Sequence, residues 1–328
     1  MRFVTAKRAA SILFHLCASQ ARSSGIYLVP ANACPIVPLA ILEGGGKVEF
    51  VDIDDKSLAM NQELLRRRLG ARGLPPVAGV VFIRPYGAID NAAVDFRALK
   101  RLSRATLMID DRCAARPETD IKQLNSSADI YLFSTGYGKY VDLQVGGYAF
   151  IADYLEYQHG KTPPRHFQPA HYQRLETLWQ QQLASGHKNL GTIMENAGDW
   201  LDTGPLQISS EDYRDRIAQQ TEIAARTKAL ADEIYRSHIP AEALLGEQYH
   251  HWRHQILVEN KTALLQDIFA HGLFASGHYA TTARLFSSAD FPRSDHLYSH
   301  IVNLFNDFHI SEPQMIAVAR LVQRHLLQ

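Results

Sequence analysis

The chain has 328 residues, and its 34 Lys and Arg residues balance its 34 Asp and Glu residues, so its formal net charge is zero. Nucleic-acid-binding proteins normally carry an excess of basic residues, and here only a local patch could supply one, so we expect no nucleic-acid partner. Hydrophobic residues make up 46% of the chain and charged residues 21%, which is typical of soluble globular domains. At roughly 100–200 residues per domain, we expect one large domain or two.

The N-terminal segment resembles a signal peptide, because Arg2, Lys7 and Arg8 precede a short apolar stretch. However, His15 interrupts this stretch and its apolar residues recur at helical spacing, which favours an amphipathic helix. No stretch of the chain reaches the roughly 18 apolar residues that a membrane span requires. We therefore expect no membrane association.

Three cysteines, Cys17, Cys34 and Cys113, cannot all form disulfides with one another. A chain of this length does not need disulfides in order to fold, and free thiols are typical of a reducing compartment. The sequence therefore predicts a cytoplasmic protein.

Short apolar runs alternate with helical patterns in the first half of the chain, as in a βαβ protein. The predicted strands are residues 26–31, 47–53, 77–83, 106–111, 128–134 and 146–152. The predicted helices between them are residues 35–43, 61–69 and 91–103. Several runs are apolar on both faces, as buried parallel strands are. We predict an α/β fold with a mostly parallel central sheet and flanking helices.

The second half of the chain begins with a segment rich in Pro and His at residues 159–173, followed by a long helical pattern over residues 211–237. An alternation of strand and helix patterns then returns. The predicted elements are strands at 254–260 and 300–305 and helices at 261–271 and 312–327. This pattern predicts a large domain over residues 1–210 and a small C-terminal α+β domain over residues 211–328.

A lysine and an acidic pair follow two of the predicted strands. The strand at 128–134 ends at Ser134, and a turn of small residues then carries Lys139. The strand at 106–111 ends in Asp110 and Asp111. Ligands of open α/β sheets bind outside the carboxyl ends of the strands, so the lysine and one aspartate are predicted to converge there.

This combination suits pyridoxal phosphate, because a lysine amine forms a Schiff base with the cofactor aldehyde and a carboxylate keeps the pyridine nitrogen protonated. The phosphate would need the N-terminus of a helix and cationic or hydroxyl side chains. Lys7 and Arg8 at the first helix, together with Ser134, could supply them. The alternative is that Asp110 or Asp111 only caps a turn and pairs with Arg112.

Two other kinds of site are less well supported. The glycine-rich stretches 43–48 and 136–140 lack the Ser or Thr that a P-loop requires after its lysine. His250 and His254 are four residues apart, as metal ligands on a helix can be, but no Glu lies between them as in a zinc hydrolase, and a strand pattern follows. We expect no metal site.

Four segments, in order and spacing, resemble the DegT/StrS-type sugar aminotransferases, which are pyridoxal-phosphate enzymes of the aspartate-aminotransferase fold. The segments are VPANACPIVPLAILEGGGKVEFVDID (29–54), PYGAIDNAAVDFRALKRL (85–102), MIDDRCAA (108–115) and STGYGKYVDLQVGG (134–147). Two C-terminal stretches, 271–286 and 302–322, are similar to the small domain of that family. The resemblance covers most of the chain and is weakest over about 155–205.

The resemblance implies that Lys139 is the catalytic Schiff-base lysine and that Asp111 binds the pyridine nitrogen. It also implies that Ser134 binds the phosphate, next to the turn that contains Lys7 and Arg8. Family members act as homodimers with active sites at the subunit interface.

Other positions are less typical of the family. Cys34 falls where many members place an aromatic ring against the cofactor, and Ala114 replaces a residue that is often polar. His278 and Tyr279 match a region near the mouth of the active site and are candidate substrate contacts.

The implied activity is transfer of an amino group from an amino acid, with glutamate the expected donor, to a keto-sugar linked to a nucleotide. Such a reaction belongs to polysaccharide or antibiotic sugar biosynthesis. The departures at Cys34 and Ala114 leave two alternatives open, namely amination of a non-sugar ketone and a non-catalytic binding or regulatory role.

Overall fold

The computed structural model describes residues 1–19, 24–88, 94–124, 127–158, 201–249, 252–277 and 280–327. The strands in these ranges are β1 (Arg2–Ala6), β2 (Ile26–Pro30), β3 (Lys47–Val51), β4 (Val77–Ile83), β5 (Leu107–Asp111), β6 (Ile130–Ser134), β7 (Gly147–Ile151), β8 (His254–Leu257), β9 (Ala275–Ser276) and β10 (Ile301–Leu304). The α-helices are α1 (Ala9–Ser19), α2 (Ile36–Glu43), α3 (Gln62–Gly70), α4 (Phe96–Leu102), α5 (Ser210–His238), α6 (Lys261–Ala270), α7 (Pro292–His300) and α8 (Glu312–Leu326).

The larger sheet has seven strands in the order β1-β7-β6-β5-β4-β2-β3. Strands β2 to β6 pair in parallel, whereas β7 runs antiparallel to both β6 and β1. The predicted α/β fold with a mostly parallel sheet is confirmed. The parallel strands end at one edge, where Asp111 of β5 and Ser134 of β6 lie.

Helices cover both faces of this sheet. Successive side chains of a strand point to opposite faces, so β5 places Leu107 and Ile109 in one core with α1 and α2, and Met108 in the other core with α3 and α4. Runs without a polar position are therefore expected for these strands, because neither face is open to water.

Strand β1 was not predicted from the sequence, and it immediately precedes the predicted first helix. It lies at the edge of the sheet, pairs with β7 from Arg2 to Ala6, and is partly exposed along most of its length. An edge strand of five residues with one open side has no continuous apolar run to identify it. The segment that resembles a signal peptide is therefore a strand followed by a helix.

The long helix α5 packs into two separate cores. Tyr213 and Ile217 in its first half join the core of the large sheet, whereas Ala231 and Tyr235 in its second half join a C-terminal core. That second core is built on the three-stranded sheet β8-β10-β9 with α6 and α8. The division of the chain at residue 210 stays a prediction. In the described parts of the chain, no helix is both long and apolar enough to cross a membrane.

The C-terminal region is also attached to the carboxyl edge of the large sheet. The buried carboxylate of Asp52, just after β3, accepts hydrogen bonds from the backbone N–H groups of Arg293 and Ser294 at the start of α7. The Thr282 hydroxyl donates to the backbone oxygen of Ala33 at 2.7 Å. These contacts bring the chain around residue 282 next to Cys34.

Candidate active site

The two aspartates at the end of β5 have different surroundings. Asp110 is fully buried and accepts hydrogen bonds from Arg84 Nε at 2.6 Å and Nη2 at 3.0 Å, and from Arg112 Nε at 3.0 Å. Two buried guanidinium groups thus surround one buried carboxylate, which makes this a structural ion-pair cluster. Asp110 is not available for a ligand.

Asp111, the next residue, points to the opposite face of the sheet. Its Oδ1 atom accepts a hydrogen bond from the backbone N–H of Cys113 at 2.9 Å. Burial raises the pKa of Asp111 above its ordinary value, while the hydrogen bonds from Cys113 and the nearby Lys139 ammonium act in the opposite direction. A buried carboxylate beside a lysine is the arrangement predicted for a ring-binding aspartate.

The alternative role of these aspartates, capping a turn and pairing with Arg112, is also present in the structure. Asp110 pairs with Arg112, and Asp111 caps the turn that begins at Cys113. The two roles fall on different residues.

Lys139 lies on the loop from Thr135 to Gly146, which we call the lysine loop. The loop is closed by hydrogen bonds from Thr135 N to Gly146 O at 3.0 Å and from Leu143 N to Thr135 O at 2.8 Å. The Lys139 N–H itself donates to Gly136 O at 3.2 Å. Lys139 is therefore carried by a compact turn at the end of β6, and its side chain is partly exposed.

Two cysteine thiols lie close to Asp111 and Lys139. Burial raises the pKa of Cys113 well above its ordinary value, and the Asp111 carboxylate raises it further, while Lys139 lowers it and Cys34 adds a smaller increase. The four side chains of Asp111, Cys113, Lys139 and Cys34 therefore form one cluster. The structure brings Cys34 to the site, as the resemblance implied, with a half-buried thiol in place of an aromatic ring.

A second group of residues surrounds Gly136. A Cβ atom at Gly136 would lie 3.4 Å from Arg8 Nη1 and 3.6 Å from Ser134 Oγ. The missing side chain therefore leaves a small space between a guanidinium and a hydroxyl, beside the first turn of α1. Helix N-termini and guanidinium groups both favour anions. The predicted phosphate-binding residues Arg8 and Ser134 meet at this space.

Helix α1 can reach this position because Gly147 has no side chain. A Cβ atom there would lie 2.2 Å from Ala9 N and 2.5 Å from Ala9 Cα. In addition, the Gly146 N–H donates to Lys7 O at 2.8 Å. The two glycines at the start of β7 thus allow the first turn of α1 to lie directly against the sheet.

The Lys7 side chain has a partner of its own. Its ammonium pairs with Asp202 at 2.9 Å, and both side chains are about one-third exposed. Burial raises the pKa of Asp202. The hydrogen bonds from Lys7 and from the Gly204 N–H together lower it by more, so this pKa lies below its ordinary value. A direct phosphate contact of the Lys7 side chain stays a prediction, whereas its backbone lies at the start of α1.

Residues of the C-terminal region that the sequence analysis did not select also contact the lysine loop. Trp252 Nε1 donates to Gly138 O at 2.6 Å, and Arg253 lies beside the same glycine. Tyr137 of the loop makes an edge contact with the His309 ring, with 5.4 Å between centroids. Trp252 and Arg253 lie between His250 and His254, the two histidines considered as metal ligands, and no sequence motif marks them as contacts of the lysine loop.

Some predicted residues cannot be placed. His278 and Tyr279 lie outside the described residues, as does His250, so their roles stay predictions. His254 is fully buried and its Nδ1 atom contacts Asp232 at 2.8 Å. Within the described ranges, no group of three or more His, Cys, Asp or Glu side chains is arranged to hold a metal ion.

No protein-family model matches the chain, and no curated protein matches it either. Solved structures do match. A DegT DnrJ EryC1 StrS aminotransferase from Brucella abortus has a TM-score of 0.65 at 15% identity, with 99% of this chain and 86% of that chain covered. The sugar aminotransferase CalS13 from Micromonospora echinospora has a TM-score of 0.62 at 15% identity, with coverages of 98% and 87%.

Another matched structure is that of an enzyme with a different activity. The GDP-4-keto-6-deoxy-D-mannose-3-dehydratase of Escherichia coli, with bound hydrated pyridoxal phosphate, has a TM-score of 0.61 at 13% identity, with coverages of 98% and 87%. Identities this low establish the shared fold rather than a shared reaction. The chain therefore has the fold of the DegT-type aminotransferases, as the sequence resemblance predicted.

Proposed function

We propose that the protein is a pyridoxal-phosphate-dependent aminotransferase that moves an amino group from an amino acid to a keto-sugar. The observation that carries this proposal is the convergence of a lysine and a buried carboxylate, Lys139 and Asp111, next to an anion-binding space. The fold shared with CalS13, a sugar aminotransferase, supports the choice of a sugar as acceptor. Glutamate as the donor and a nucleotide-linked acceptor complete the proposal.

The residues present suit this cofactor. Gly136 leaves room between Arg8 and Ser134, where a phosphate would receive a charge-assisted bond from the guanidinium and a bond from the hydroxyl. The positive end of the helix α1 dipole would contribute further. Asp111 is suited to hold the protonated ring nitrogen, because a buried carboxylate gains much from a cationic partner.

Bound pyridoxal phosphate supplies an electron-withdrawing ring that accepts the negative charge left when a proton leaves the substrate carbon. The Lys139 amine, attached to the loop beside that position, is the group able to take and return this proton. The Asp111 carboxylate would hold the protonated ring nitrogen of the bound cofactor. Burial of Asp111 excludes water, which strengthens this interaction.

We also propose that the protein works as a cytoplasmic homodimer. A partner chain would complete the face of the site that Cys34 and the lysine loop leave partly exposed. Sedimentation analysis should give twice the mass of the chain, and a monomer that is fully active would contradict this part of the proposal.

The decisive experiment uses the purified full-length protein with added pyridoxal phosphate. We expect a yellow complex, and we expect borohydride reduction to attach the cofactor to the peptide that contains Lys139. Lys139→Ala should abolish the attachment. Lys122→Ala, which changes an exposed lysine outside the site, should leave it intact. A wild-type protein that stays colourless would contradict the proposal.

Addition of glutamate separates the alternatives. Loss of the yellow colour, with release of 2-oxoglutarate, supports amino transfer from glutamate. A yellow protein that glutamate does not change would instead support another donor or a role without amino transfer. A panel of nucleotide-linked keto-sugars and of simple cyclic ketones would then identify the class of acceptor.

A further inference from the structure

The backbone next to Lys139 is held by one contact within the lysine loop and by another from the C-terminal region. Gly138, the residue before Lys139, donates its N–H to Asp142 Oδ2 at 2.6 Å within the lysine loop. Its carbonyl oxygen accepts the bond from Trp252 Nε1 at 2.6 Å. Because that carbonyl belongs to the peptide group that ends at Lys139 N, the bond from Trp252 fixes the plane from which the lysine extends.

The backbone conformation of Gly138 and its close contact with Arg253 both favour a residue without a side chain. Its φ angle is +67°, in the left-handed region that glycine adopts without strain. A Cβ atom on Gly138 would lie 3.1 Å from Arg253 Nη2. The guanidinium therefore packs directly on the α-carbon, and the peptide group of Gly138 and Lys139 is enclosed by Trp252 and Arg253.

Trp252 is itself held rigidly. Its backbone N–H donates to Tyr86 O at 3.2 Å, and its ring is stacked on the Tyr86 ring, with 6.5 Å between centroids and 19° between planes. Tyr86 has a φ angle of +51°, which is uncommon for a residue with a side chain and is often found near functional sites. It follows β4, whose last residue, Ile83, pairs with Asp111.

Buried polar and charged residues of the C-terminal region hold Trp252 and Arg253 in place. The Trp252 carbonyl oxygen accepts a hydrogen bond from Lys228 Nζ at 3.1 Å, and the same amine donates to Asn306 Oδ1 at 2.7 Å. Arg253 forms a buried ion pair with Asp307, and its guanidinium lies 4.1 Å from the centroid of the Phe305 ring. These groups have little freedom to move, because each is packed and hydrogen-bonded.

We propose that Trp252 is a positioning residue for Lys139: its indole N–H holds the Gly138 carbonyl oxygen and thereby sets the place of the lysine amine relative to Asp111. This inference rests on the proposed function for its catalytic consequence, but the placement of the amine can be measured without cofactor. A misplacement of about 1 Å can lower a reaction rate on the order of 100-fold.

The test compares Trp252→Phe, which keeps a ring and removes the N–H donor, with Tyr249→Phe as a matched control. Tyr249 belongs to the same aromatic cluster and donates its hydroxyl to Lys56 O at 3.1 Å, away from the lysine loop. In the cofactor-free protein, competitive labelling with acetic anhydride over a range of pH, read by peptide mass spectrometry, gives the reactivity and the pKa of the Lys139 amine.

We expect Trp252→Phe to change the labelling rate of Lys139 at least threefold, and to lower kcat about 100-fold with a smaller change in KM. Tyr249→Phe should match the wild type in both measurements. A folded Trp252→Phe protein with wild-type labelling of Lys139 would overturn the proposal, as would an equal change in Tyr249→Phe.

A second variant covers the case in which Trp252→Phe does not fold. Gly138→Ala disturbs the same contact from the loop, since the added methyl group presses on Arg253 and strains the backbone. It should change Lys139 labelling in the same way, and unchanged labelling would contradict the proposal. The labelling result stands even if the wild-type protein takes up no pyridoxal phosphate, which would count against the proposed function alone.

Discussion

The seven-stranded sheet and the three-stranded C-terminal region contribute to the candidate site in different ways. The large sheet carries the proposed reactive groups, since Asp111, Ser134 and Lys139 all lie at or just after the ends of its strands. The C-terminal region supplies support, through Trp252 and Arg253 at the base of the lysine loop. The groups proposed for the chemistry are thus local to one sheet, whereas their geometry depends on residues more than a hundred positions away.

One buried carboxylate of each region, Asp111 and Asp307, shows a further difference. In the large sheet, burial raises the pKa of Asp111 above its ordinary value, and the hydrogen bonds from Cys113 and the Lys139 ammonium offset this only in part. In the C-terminal region, Asp307 is also buried, but the ammonium and guanidinium groups of Lys228 and Arg253 lower its pKa below the ordinary value. The first carboxylate is the one proposed to hold a ligand, and the second is paired within the protein.

The largest expected effect distinguishes the two neighbouring aspartates of β5. Asp110→Asn leaves the guanidinium groups of Arg84 and Arg112 buried without their anion, and we expect a loss of about 3–5 kcal/mol in the free energy of unfolding. Asp111→Asn keeps an acceptor for the Cys113 N–H and removes a charge that burial disfavours, so we expect a loss below about 1 kcal/mol.

Chemical denaturation of the two variants gives both values, and the wild-type protein is the reference. Asp111→Asn should instead lose its ability to transfer an amino group. If it is the less stable of the two variants, the assignment of a structural role to Asp110 and a ligand role to Asp111 is wrong.

A smaller effect is expected at the contact between α1 and the large sheet. In Gly147→Ala, the new methyl group would overlap the backbone of Ala9, so α1 must move away from β7. Overpacking of this kind costs about 1–3 kcal/mol. The movement also carries Arg8 away from Ser134, so we expect weaker binding of pyridoxal phosphate, measured by titration of the visible absorbance.

Gly70→Ala is the matched control. Gly70 ends α3, and nothing lies within 4 Å of the position that its Cβ would take. Its stability and its cofactor affinity should stay close to those of the wild type. Equal effects of the two substitutions would show that the close approach at Gly147 is not required.

A third effect concerns pH and belongs to the C-terminal region. Burial lowers the pKa of Lys228 to about 7, an effect that the nearby Arg253 increases and that Asp307 and Asp232 oppose. An unfolded lysine keeps its proton up to a pH of about 10.4, so between these values the unfolded state binds more protons than the native state. Stability should therefore rise with pH from about 7, on the order of 1 kcal/mol per pH unit.

Lys228→Met removes the titrating amine, and thermal unfolding at several pH values should then show a shallower rise. Part of the rise should remain, because burial also lowers the pKa of Lys261 to about 7. Lys261→Met removes that second contribution. A Lys228→Met protein with the same pH dependence as the wild type would contradict the assignment of a buried, titrating amine to this position.

Much of the fold could be predicted because it depends on local patterns. The predicted strands at 26–31 and 77–83 are β2 and β4, and the long helix predicted at 211–237 is α5 (Ser210–His238). Buried parallel strands are apolar throughout, and a helix of this length repeats its pattern many times. The two-residue strand β9 (Ala275–Ser276) was not predicted, because two residues carry no periodicity.

The candidate site could be predicted only in part. Asp111 and Lys139 follow apolar strands, so their position at the strand ends could be inferred from the sequence. The sequence did not show that Asp110, rather than its neighbour, would take Arg112 and Arg84. The side of the sheet that each aspartate faces, and the arginines that meet it there, depend on how distant segments pack.

The class of fold, the order of its main elements and the pair of residues proposed for the chemistry all follow from local patterns, because alternation, apolar runs and strand ends are properties of neighbouring residues. The partners of the Lys7 ammonium and of the Gly138 carbonyl oxygen, Asp202 and Trp252, become visible only in the folded chain. These contacts join residues far apart in the chain, and their geometry exists only after both cores have packed.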